Sequence, residues 1–174
     1  QIFAALYVAG TQSQADQTYA AYLKAAGVLE KQFVKYPDHP GVAHYLIHSY
    51  DAPPIAQQGL PAARKYARIA PDAPHALHMP SHIFTRVGAW QDSVAGNRRS
   101  ADVAKGDGNG NEAFHAADYM IYANLQLGRD QAARQVRAAA EQGGQLRAQR
   151  HACGAGQCGH VDHQLGFRLR AIGQ

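Results

Sequence analysis

His44-Tyr45-Leu46-Ile47-His48 and His78-Met79-Pro80-Ser81-His82 repeat one H-x-x-x-H frame at an offset of 34 residues. Pro40 and Pro74, four residues before each first histidine, keep the same offset. Proline is favoured in the first turn of a helix and disfavoured inside one, so both mark helix starts. A 34-residue period fits one helix–turn–helix unit per repeat. Upstream, Tyr19, Tyr22, Leu23, Val28, Leu29 and Phe33 recur at helical spacing over 17–36, and Pro37 ends that run. Ile2, Phe3, Leu6 and Tyr7 give 1–10 the character of a helix end, and 11–16 is a polar loop. No segment sustains the alternation of a strand, so the fold class is all-α.

A third unit follows. Aligning the Gly88-Ala89-Trp90 turn with Gly128-Arg129-Asp130 sets His75 against His115, His78 against Asp118 and His82 against Tyr122. The extra length falls in 105–111, KGDGNGN, which predicts a loop insertion. The predicted organisation is a partial hairpin over 1–36, repeats over about 40–73, 74–107 and 114–142, and a tail over 143–174 rich in Gly, Arg, Cys and His. Two readings fit that tail: a disordered end, or a stretch that is not native sequence. Small residues at Gly59, Ala62, Ala63 and Ala67 predict close packing of the second helices.

The stretch 36–90, YPDHPGVAHYLIHSYDAPPIAQQGLPAARKYARIAPDAPHALHMPSHIFTRVGAW, resembles uncharacterised bacterial tetratricopeptide-repeat proteins rich in these histidine motifs. The resemblance covers roughly 15–142. It implies a right-handed α-solenoid of helix hairpins. In such solenoids the first helices line a concave groove that holds a peptide or a protein segment. It also implies an exported, periplasmic-type bacterial protein.

Composition narrows the function. Hydrophobic residues make up 46% and charged residues 17% of the 174, which excludes a wholly disordered chain. No apolar run is long enough to span a membrane. The net charge of +4 arises beyond residue 128, where seven Arg face three acidic residues; the rest is balanced. A basic tail is weak footing for nucleic acid, and none is expected as a partner. Gln1 stands where an initiator Met would, so the chain reads as a piece of something longer, with self-association expected through open repeat ends.

The histidines carry the chemistry. Residues four apart share one helix face, so His44 with His48, and His78 with His82, project together. Adjacent first helices would bring the two pairs within reach of each other. Neutral imidazole is the commonest metal ligand, and the set suits Zn, Cu, Ni or Fe rather than the all-oxygen shells of Ca or Mg. His44, His48, His78 and His82 are the expected ligands. His75, His115, Asp51, Asp118, Tyr122 and Arg86 are the expected surrounding groove residues, with a carboxylate orienting an imidazole. Pro80 sits inside the second motif; a helix starting at Pro74 would preserve the pair, and one starting at Pro80 would distort it. Three functions compete: a repeat scaffold with a groove metal site, a peptide-interaction module without metal, and a metal-dependent enzyme of unknown substrate. Catalytic residues stay unassigned. Cys153 and Cys158, with His151, His160 and His163, offer a looser second cluster in the tail.

Overall fold

The computed structural model describes residues 1–13 and 15–151, with side chains as far as Gly143. Every regular element among them is helical. In chain order these are α1 (Ile2–Ala9), α2 (Ala20–Lys35), α3 (Pro40–Ser49), a 3₁₀ turn (Ala56–Gly59), α4 (Leu60–Ile69), α5 (Pro74–His78), α6 (Pro80–Arg86), α7 (Trp90–Gly106), α8 (Gly110–Gln126) and α9 (Asp130–His151).

The prolines act as expected. Pro40 and Pro74 occupy first-turn positions of α3 and α5, where the missing N–H costs nothing. Pro80 breaks the ladder between α5 and α6, yet Met79 keeps helical angles of φ −51° and ψ −38°. The two short helices therefore run on through one local break. His82 N–H bonds the Met79 carbonyl at 3.1 Å, and the Ser81 hydroxyl takes the His78 carbonyl at 2.6 Å. These bonds satisfy the Met79 and His78 carbonyls beside the break.

Helices pack against their chain neighbours, and contacts also join α1 to α3, α3 to α6, and α5 to α8. The first helix of each unit thus meets the first helix of the next. The core is built largely from alanine, with Leu29, Ile47, Met79 and Ile83 as fully buried larger members. A smaller cluster of Ala101, Ala116, Ala117 and Met120 joins α7 to α8. Small residues set the spacing. A Cβ on Gly59 would stand 2.7 Å from Ile83 Cδ1 and 3.0 Å from Tyr50 Cβ, so glycine is required for that approach. Phe3, Tyr7 and Val34 lie exposed at the α1–α2 end.

The third unit departs from the predicted boundaries. No inserted loop separates it from the second. α7 extends to Gly106 and α8 already starts at Gly110, so the added length is helix. The connection is a tight helix end: Gly108 takes φ +69°, and Asn109 Oδ1 accepts the Glu112 N–H at 3.3 Å. α9 likewise runs to His151, nine residues beyond the predicted end at 142. The tail residues 152–174, with Cys153, Cys158, His160 and His163, lie outside the described residues.

Candidate metal centre

All six histidines between His44 and His115 sit on first helices of their units. α3 carries His44 and His48, α5 carries His75 and His78, α6 carries His82, and α8 carries His115. Their rings form a continuous row. His44 lies 4.8 Å from His48 and 5.0 Å from His75, His48 5.9 Å from His82, His78 5.0 Å from His82, and His115 4.2 Å from His78, all between ring centroids.

One triad converges. Nitrogens of His78, His82 and His115 lie within 4.8 Å of one another. The hydrogen bonds around it fix which nitrogens hold protons. Asn97 Nδ2 donates to the Ser93 carbonyl at 2.8 Å, so Asn97 Oδ1 is the atom facing His78 Nδ1 at 2.7 Å. An amide oxygen only accepts, so His78 Nδ1 carries the hydrogen. His82 Nδ1 in turn donates to Asp51 Oδ2 at 2.8 Å. Burial alone would raise the Asp51 carboxyl, but its bonds to His82 and Arg86 outweigh burial and hold it below the usual range, ionised at neutral pH. Arg86 Nε donates to the other Asp51 oxygen at 2.8 Å.

In the neutral rings this leaves a lone pair on each Nε2, and the two Nε2 atoms stand 3.1 Å apart. Two lone pairs aimed at each other repel unless a proton or a cation lies between them. Two imidazoles bound to one tetrahedral ion at about 2.0–2.1 Å would place their nitrogens about 3.3 Å apart. The observed spacing is close to that of a chelate. The Tyr119 hydroxyl borders the same space, 3.5 Å from His82 Nε2.

The environment favours the neutral ligand form. His78 is fully buried, and that burial, with repulsion from His82 and His115, holds its pKa well below 6.5 despite the Asn97 bond. Burial likewise lowers His44 and His48 to about 4, helped by neighbouring imidazoles. These three rings are therefore uncharged at pH 7, as metal ligation requires.

The structure brings His78 and His82 together with His115, and sets His44 beside His48 with their Nε2 atoms 2.9 Å apart. His75 stands between the pairs, its Nδ1 3.7 Å from Glu112 Oε2. Asp51 takes the expected orienting position. Arg86 grips Asp51 itself. Asp118 is not among the converging ligand atoms, and burial raises its carboxyl; Tyr122 packs edge-on against Trp90 at 5.7 Å and acts electrostatically on Arg86. On α8 it is His115 and Tyr119, about one turn earlier, that face the histidine row.

Asn97, Tyr119 and Glu112 belong to the site although the motifs do not single them out. Tyr119 carried a legible signal, because His115 and Tyr119 repeat the i,i+4 spacing of the two pairs. Asn97, on the second helix α7, carried none. Comparison of the chain with protein-family models, with curated proteins and with solved structures finds no match.

Proposed function

We propose that the chain is a tetratricopeptide-type helical scaffold whose row of first helices holds a transition-metal ion on His78, His82 and His115. The single observation that supports this most is the pair of opposed Nε2 lone pairs, 3.1 Å apart, with Asn97 and Asp51 taking the far nitrogens. A cation between them removes the repulsion and uses both acceptors. A proton shared between the two rings would also remove the repulsion, with Asp51 beside His82 to balance its charge. A third imidazole, His115, with its nitrogen within 4.8 Å of the other two, suits a metal ion. Three imidazoles fit Zn, Cu, Ni or Fe, and leave a fourth position for water, Tyr119 or a partner side chain. Asp51 holds the His82 ring in place and Arg86 holds Asp51.

Cobalt(II) titration tests the reading. Four-coordinate cobalt absorbs visibly, and the protein is expected to develop that absorbance to a saturating end point. His82→Ala and His115→Ala are expected to lose it while circular dichroism stays helical. Equal uptake by the parent and both variants would refute the assignment.

A further inference from the structure

We infer that the repeat builds the same three-histidine chelate twice, and that His44, His48 and His75 hold a second transition-metal ion beside the first. This rests on the metal reading of the His78 triad. In that triad a pair four residues apart on one first helix is completed by a histidine from the first helix of the next unit. His44 and His48 form the same pair 34 residues earlier, and His75 lies on the next first helix. Aligning the positive-φ turns at Gly88 and Gly128 makes His75 and His115 equivalent positions.

The geometry follows the equivalence in the pair but not yet in the third ring: among the described residues, His78, His82 and His115 are the group of three whose nitrogens already lie within 4.8 Å of one another. His44 Nε2 and His48 Nε2 are 2.9 Å apart, against 3.1 Å for His78 and His82. The completing ring lies 5.0 Å from the first histidine here and 4.2 Å there. Burial keeps His44 and His48 neutral at pH 7, with pKa values of about 4. His75 also has an orienting carboxylate within reach. Glu112 Oε2 is buried without a hydrogen bond and stands 3.7 Å from His75 Nδ1. A small turn of the His75 ring gives that oxygen its donor and leaves Nε2 to face the pair, as Asp51 does for His82.

This first triad is the looser one, because the His75 side chain is 46% exposed and has to turn inward. The second ion also enters beside an existing dication among neutral ligands. The two sites therefore fill in order, the His78 triad first.

Zinc binding by equilibrium dialysis of the full chain distinguishes the outcomes. The parent is expected to bind two equivalents, the second more weakly. His75→Gln and His44→Ala are each expected to keep the tight equivalent and lose the weak one. His115→Ala is expected to weaken the tight one. Because His75 is half exposed, His75→Gln leaves the fold intact, and circular dichroism checks this. One equivalent in the parent, unchanged by His75→Gln and His44→Ala but lost with His115→Ala, would overturn the second site and leave the first standing. One equivalent lost in all three variants would mean a single shared ion and would also overturn it. No zinc bound at all would remove both readings.

Discussion

Acidification should unfold this protein through its buried histidines before the Asp51 carboxylate protonates. His48 titrates near 6.5 in an unfolded chain and at about 4 in the folded one, chiefly because burial penalises the charged ring. Above about pH 6.5 both states hold it neutral, and no stability depends on it. Below that, the unfolded chain takes the proton and the folded chain refuses it. Stability is therefore lost as pH falls from about 6.5 to about 4. Lowering the pH from about 7 to about 5 costs roughly 2 kcal/mol at this one residue by linkage. His78 acts in the same direction, and His44, more open to water, adds a smaller share after screening. Asp51 does not contribute in this window, since its lowered pKa places its loss at more acid pH. The sum is a large part of the ~5–15 kcal/mol that holds a domain folded. Urea unfolding in the presence of a chelator, at pH 7, 6 and 5, measures it. His48→Gln should flatten the slope by about one proton, or ~1.4 kcal/mol per pH unit. Parallel pH profiles for parent and variant would refute the reasoning.

Asn97→Ala should cost about 1–3 kcal/mol in urea unfolding, since it leaves the buried His78 Nδ1–H without its acceptor. It should also weaken metal uptake by freeing the His78 ring; an unchanged binding curve would show that Asn97 does not set that ring. Gly59→Ala should cost about 1–3 kcal/mol, because the added methyl meets Ile83 Cδ1 at 2.7 Å and Tyr50 Cβ at 3.0 Å. Thermal melting checks this, and a melting temperature equal to the parent's would show that Ile83 yields freely.

The helical class was legible because it rests on short-range physics. Apolar spacing and proline position are local properties, and Pro40 and Pro74 start helices as their chemistry requires. The start of the third unit is hard to read because Gly-rich composition over 105–111 suggests a loop. Gly106 and Gly110 instead lie within helix ends, with only 107–109 between them. The signal that could have placed the start of α8 was Asn109 followed by Glu112, a cap with an acidic first turn. The i,i+4 histidine pairs were visible for the same local reason. Their partners depended on how neighbouring helices slide past each other. That packing sets His115 and Tyr119 on the row and brings Asn97 in from a second helix.

Asp51 shows how far such reading extends. One turn after His48, it was expected to orient an imidazole, and it does so for His82, on another helix and 31 residues away. The sequence placed the carboxylate near the row but not which ring it would hold. Arg86, expected among the surrounding groove residues, holds this carboxylate at 2.8 Å.

The most direct test of the metal centre is elemental analysis of the protein, purified without an affinity tag or chelator and then titrated with zinc. The account predicts at least one tightly held equivalent of transition metal at pH 7, released as the pH falls and protons displace the ion. Protein that carries no metal and takes up none on titration would contradict it.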